Sequence, residues 1–127
     1  MTLTRLHHAQ ITIPKSAEAE ARVFYCDLLG LTEIEKPDSL KARGGFWAQL
    51  GEAQVHVSLE EGVDRQATKA HVAYEVTDVA HWREKLQTHG IAIGDSVPIP
   101  GYERFEFRDP FGNRVEFIQC LPHPPAH

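Results

Sequence analysis

Two stretches of this chain run through the same order of elements, and a repeat of that length constrains the fold more than composition does. Leu6 to Ile13 alternates, with Ala9, Ile11 and Ile13 on one phase and His8, Gln10 and Thr12 on the other, which predicts a strand. Ser16 is placed to cap a helix reaching about Leu29, with Glu18 and Glu20 in its first turn, apolar residues at helical spacing and Gly30 to end it. A short strand over 31–34, a polar connection over 35–45, a strand near Phe46–Leu50, a tight turn and the strand QVHVSLE complete the first half. From His71 the order returns: strand HVAYEV, a helix capped by Asp78 and closed by Gly90, short strand IAI, loop GDSVPIPG, strand ERFEFR, turn DPFGN and strand RVEFIQ. The fold class expected is α+β. Two βαβββ modules, about 5–60 and about 70–119, lie in tandem in one domain over 1–127, forming a pseudo-twofold curved mixed sheet with helices on its outer face. The Pro-rich 120–127 is expected to be a loose tail.

The repeat also pairs four residues that can bind metal. His71 stands 63 positions after His8, at the same place in the first strand of its half, and Glu116 stands 60 after His56 in the last strand. Successive strand residues face opposite ways, so the apolar phase marks the helix-covered side. Val55 and Val57, Val72 and Tyr74, Val115 and Phe117, and Ala9 and Ile11 form that phase. His56, His71, Glu116 and His8 therefore share the other side of their strands. Imidazole nitrogens with one carboxylate, and no thiolates, suit a catalytic divalent ion with open positions. Zn, Ni, Co, Mn and Fe(II) all accept such a set. Gln10, Thr12, Gln54, Ser58 and Glu75 would line the same cleft, with Trp47, Phe105 or Phe107 as walls and Arg104 or Arg43 as anion clamps. His7 falls on the helix-facing phase and reads as structural, and His81, His89, His123 and His127 as solvated.

Charge and cysteine usage narrow the partners. Acidic residues (18) outnumber Lys plus Arg (13), for a net charge of −5, whereas nucleic acid and anionic membranes need a concentrated basic face. The N-terminal stretch lacks a basic region followed by an apolar core, and no apolar run approaches the ~20 residues of a membrane helix. A cytoplasmic location follows as the expectation. Two cysteines, Cys26 and Cys120, support neither a disulfide framework nor a zinc ribbon, and are expected as reduced, partly buried thiols.

The paired halves, LHHAQITIP at the start, FYCDLLGL ending the first helix, AHVAYEV opening the second half and RDPFGNRVEFIQ closing it resemble the vicinal oxygen chelate superfamily over residues 5–119. That superfamily includes glyoxalase I, fosfomycin-resistance enzymes, methylmalonyl-CoA epimerase, extradiol dioxygenases and bleomycin-binding proteins. The resemblance implies His8, His71 and Glu116 as metal ligands, with His56 at a fourth position where glyoxalase I often has Glu. It also implies chelation of vicinal substrate oxygens and a homodimer with a small-molecule substrate, while the carboxylate that moves protons in glyoxalase chemistry is replaced by His56; Glu116, bound through one oxygen, keeps a second for a proton and is the candidate catalytic base. Departures bear on substrate: Thr12 and Glu60 stand where glyoxalase I has its glutathione-binding Arg and Asn. The activity implied is a glyoxalase-like lyase or isomerase. A metal-free protein that sequesters small molecules, as in drug resistance, and a small extradiol-type dioxygenase are the alternatives.

Overall fold

The computed structural model describes residues 1–122. Its elements are β1 (His8–Ile13), α1 (Glu18–Arg22) continuing as a π-helical stretch (Val23–Leu28), β2 (Thr32–Ile34), a 3₁₀ segment (Asp38–Arg43), β3 (Phe46–Leu50) and β4 (Ala53–Leu59). They are followed by β5 (His71–Glu75), α2 (Val79–Thr88), β6 (Gly94–Asp95), β7 (Tyr102–Arg108) and β8 (Arg114–Cys120). The chain divides into two compact units, residues 1–64 and from Arg65 onward. Each holds one four-stranded mixed sheet, ordered β1-β4-β3-β2 in the first and β5-β8-β7-β6 in the second. β1 runs parallel to β4 and β5 to β8, and the other pairings are antiparallel. The βαβββ repeat is therefore realised twice, with the last strand of each half at an inner position of its sheet.

The expected apolar phase forms the core of each unit. Ala9, Val55 and Ala48 lie in one row across the first sheet, and Ile11, Val57 and Phe46 in the next. Arg22, at the end of α1, sets its guanidinium 5.0 Å from the Phe46 ring centre, which places this face under the helix. In the second sheet the rows are Val72, Val115, Phe107 and Tyr74, Phe117, Phe105. Phe117 centres an aromatic cluster, edge-on to Trp82 of α2 at 5.2 Å, to Phe107 at 5.0 Å and to Phe105 at 5.7 Å. Each buried ring there contributes roughly 1.5–3 kcal/mol by leaving water.

Local differences from the sequence reading have physical causes. Ser16 is not the cap of the first helix. A turn from Ala17 N–H to Pro14 O makes Ala17 the capping position, with no side-chain cap. The helix then widens, Leu29 N–H reaching Phe24 O at 3.0 Å, so that the neighbours Phe24 and Tyr25 both enter the core. Ile91–Ile93 form no strand, because Ile91 N–H is spent closing α2 on Leu86 O. Pairing with β7 begins only at Gly94. Asp78 does cap α2, accepting from His81 N–H at 3.0 Å. Both cysteines are free, but Cys120 is exposed rather than partly buried. The expected tail from His123, with His127, lies outside the described residues. Among the described residues no helix is long and apolar enough to cross a membrane.

Candidate functional site

In the first unit the helix-averted face carries a stack of rings. His56, only 5 % exposed on the inner strand β4, lies between two neighbours. Trp47, directly across the ladder, stacks at 3.8 Å with an interplanar angle of 1°, and His8 of β1 stacks at 4.0 Å and 15°. His56 Nε2–H donates to Gln54 Oε1 at 2.9 Å, which leaves Nδ1 as its lone-pair nitrogen. Burial, then the neighbouring His8, His7 and Lys36 charges, push its pKa down to about 4, so the ring is neutral at physiological pH. His8 Nδ1 meets His7 Nδ1 at 3.0 Å, one ring donating to the other. The β3 edge is fixed beside the stack, Gly45 N–H donating to Glu18 Oε1 and Lys36 Nζ to Gly44 O at 2.5 Å.

The matching face of the second unit is built from charge. Glu116, 5 % exposed on inner strand β8, receives two contacts on one oxygen. His71 Nε2 lies 3.0 Å from Oε1, and Arg104 Nη1 donates to the same atom at 3.3 Å. Arg104 is itself held by Val97 O, which accepts from Nε at 3.2 Å and from Nη2 at 2.7 Å. A second ion pair lies alongside, Arg114 Nη2 donating to Glu106 Oε1 at 2.5 Å. That bond holds the Glu106 carboxyl below the usual carboxylate range against the opposing pull of burial. The strand is aimed by the preceding turn. Asp109 Oδ1 accepts from Phe111 N–H at 2.9 Å and Asn113 N–H at 2.8 Å, and Gly112 supplies a φ of +100°.

The donor chemistry at His71 fits a cation. Its Nδ1 lies 3.0 Å from Lys69 O, a pure acceptor, so Nδ1 carries a proton. Its Nε2 then faces a carboxylate oxygen at 3.0 Å, which requires a second proton or a metal ion at that edge. A backbone carbonyl on the far nitrogen is the usual orienting partner of a ligating imidazole. His56 fits less well. Lone pairs lie in the ring plane, and near-parallel planes at a 4.0 Å centre separation from His8 do not meet at one ion. Among the described residues no three His, Cys, Asp or Glu side chains are grouped so that they could hold a metal. His8 and His56 come together in the first unit, and His71 and Glu116 in the second.

The remaining expected residues separate by strand phase. Gln10 stands in register with His56 and Thr12 with Ser58 on the ring-bearing face. Trp47 is a wall, stacked as described. Arg104 serves Glu116 and Val97 O rather than standing as an open anion clamp. Phe107 and Phe105 are not cleft walls. They are buried on the helix side against Phe117, because even-numbered residues of β7 share the Glu116 face. His7, expected on the helix-facing phase as structural, is exposed and contacts His8. The Glu106–Arg114 pair was missed, although the alternation in ERFEFR sets Arg104 and Glu106 on one face.

The family model described as Glyoxalase/Bleomycin resistance protein/Dioxygenase superfamily matches residues 5–117. A glyoxalase family protein from Bacillus anthracis is 36 % identical over 94 % of this chain and 98 % of its own, with a TM-score of 0.87. An antibiotic binding protein from Streptomyces, TnmS3, shares the fold at 17 % identity and TM-score 0.71, covering 94 % and 98 %. The fosfomycin resistance protein FosX from Listeria monocytogenes does so at 13 % and 0.73, covering 94 % and 96 %. No curated protein matches the chain.

Proposed function

Since the chain belongs to the glyoxalase/bleomycin resistance protein/dioxygenase superfamily, we propose that it is a glyoxalase-like, metal-dependent enzyme of lyase or isomerase type. Its substrate is a small molecule with two adjacent oxygens. The observation that carries this reading is His71, both of whose ring nitrogens face acceptors, one of them the buried Glu116 carboxylate. His8, His71 and Glu116 are the proposed ligands, and His56 backs His8 through its ring. A divalent ion held there supplies Lewis acidity toward paired substrate oxygens.

The protein's own residues do the rest. Lys69 O fixes the His71 tautomer and ring plane. Arg104 and His71 both engage Glu116 Oε1, and among the described residues Oε2 has no bonding partner, so Oε2 is the atom that takes and returns a substrate proton. Glu106 is held ionised by Arg114 and does not compete for that proton. Trp47, backed by the His56 ring, offers a flat apolar face that excludes water from a bound substrate. The reading extends to a cytoplasmic homodimer.

Elemental analysis of protein purified without a histidine tag tests it. About one divalent ion per chain is expected, lost in Glu116→Gln and His71→Ala. Metal-free protein whose melting temperature ignores both chelator and added ions would overturn it. A second reading, metal-free sequestration of a small molecule, is favoured by one observation: Arg104 already sets a cation against Glu116. It predicts ligand binding undiminished by chelator.

A further inference from the structure

The second unit contains a cavity of about 550 Å³ between the start of α2 and the 95–104 segment. That volume lies in the usual range for small-molecule sites. Its walls include Val79, Ala80, Pro98, Ile99 and Tyr102. The charged groups on its lining cancel. Arg83 lies 3.6 Å from Asp95, Arg104 is committed to Glu116 and Val97 O, and Glu103 is set against the net charge of the two arginines on the same lining, two cations facing two carboxylates. Both arginines of the lining are engaged, so an anion would find no free cation there. Ser96, also on the lining, has a buried Oγ without a hydrogen-bond partner among the described residues. An unsatisfied buried hydroxyl is costly unless something bonds it, and rotation about χ1 turns it toward the cavity.

We propose that this cavity is a binding site for a small, uncharged, amphipathic molecule. Its apolar body lies against Val79, Ala80 and Ile99, and its single hydroxyl or carbonyl bonds Ser96 Oγ. The site stands apart from the proposed metal ligands, and its occupancy does not depend on them. Arg104 joins the two regions, since one guanidinium lines the cavity and also donates to Glu116.

Equilibrium dialysis of chelator-treated protein against 2-naphthol, naphthalene and 2-naphthoate tests the assignment without reference to metal. Saturable binding of one 2-naphthol per chain is expected, about fivefold tighter than naphthalene because of one hydrogen bond. Ala80→Trp, at an exposed helix position, should fill the cavity and abolish binding of both at an unchanged melting temperature. Ile99→Trp, on the opposite wall, does the same where the first variant perturbs the helix. Ser96→Ala should bring 2-naphthol to the affinity of naphthalene and leave naphthalene itself unaffected. Absence of saturable binding, full affinity in both tryptophan variants, or preference for 2-naphthoate would each overturn the proposal.

Discussion

The two units share a topology and a register but not a chemistry. Across the centre of the first sheet the row on the helix-averted face reads Gln10, His56, Trp47, and across the second it reads Ala73, Glu116, Glu106. The first unit buries a neutral imidazole by stacking it between two rings. The second buries a carboxylate by giving it His71 and Arg104 on one oxygen. Strand alternation and pairing decide which residues share the inner position. They leave open whether that position is filled by a ring that avoids charge or by a charge that is compensated. In the proposed enzyme the difference divides the work, the first unit supplying a flat neutral wall and the second the proton-moving carboxylate.

The largest effect that separates the units is expected at glycine. Gly45 has a φ of +78°, and a Cβ there would meet Val57 O at 2.1 Å, a backbone atom of the adjoining strand that cannot swing aside. Gly45→Ala should cost on the order of 3 kcal/mol or more, by chemical denaturation. Gly112 also has positive φ, but its added Cβ would meet Gln66 Cγ at 3.2 Å, part of a flexible side chain. Gly112→Ala should cost about 1–2 kcal/mol. Equal losses would show that the first unit tolerates a shift of β3 against β4.

Next in size are substitutions at the matched inner positions. Glu116→Gln leaves Arg104 and His71 facing a neutral amide, and should cost about 2 kcal/mol of stability. His56→Phe keeps a ring between His8 and Trp47 and gives up one bond to Gln54, so it should cost less than about 1 kcal/mol. A reversed order would mean that the stack, not the ion pair, is the more demanding arrangement. Salt probes the same contrast with a smaller response. The Arg114–Glu106 pair is partly exposed on both sides and the Arg104–Glu116 pair on the arginine side alone, and raising NaCl to molar concentration should weaken them together by about 0.5 kcal/mol in the wild type. Glu116→Gln should show less of that salt dependence, whereas His56→Phe should show all of it.

Much of this arrangement was legible in the sequence. The alternation around His56 and Glu116 correctly placed both on the helix-averted face, and the DPFGN turn correctly set the register of β8. What alternation cannot report is the partner a polar residue chooses. Arg104 was read as an open anion clamp, yet a bond pattern set by the Val97 carbonyl, seven residues earlier in a loop, turns it onto Glu116. The alternation in ERFEFR sets Phe105 and Phe107 with Val115 and Phe117 on the helix side, against the expectation of Phe107 as a cleft wall. The π-helical widening after Arg22 follows from packing Phe24 and Tyr25 together, a tertiary demand that helical periodicity does not encode. The metal reading rests on residue types and on one half's geometry, because sequence pairing names donors without gathering them.

The smallest effect gives the most local test, because each unit carries one tryptophan. Trp47 stacks on His56 in the first, and Trp82 packs on Phe117 in the second. In a Trp82→Phe background the emission reports the first unit alone, and in a Trp47→Phe background the second. His56→Ala removes the ring covering one face of Trp47 and admits water to it, so emission in the Trp82→Phe background should move to longer wavelength and become more accessible to iodide. Trp82 lies on the helix side of its own sheet, and its emission in the Trp47→Phe background should not change. In metal-free protein Glu116→Gln should leave Trp47 unaffected, since its bonding partners His71 and Arg104 are both in the second unit. A Trp47 response to Glu116→Gln equal to that of His56→Ala would mean that the neutral wall and the charged centre act as one cooperative structure rather than as two independently built faces.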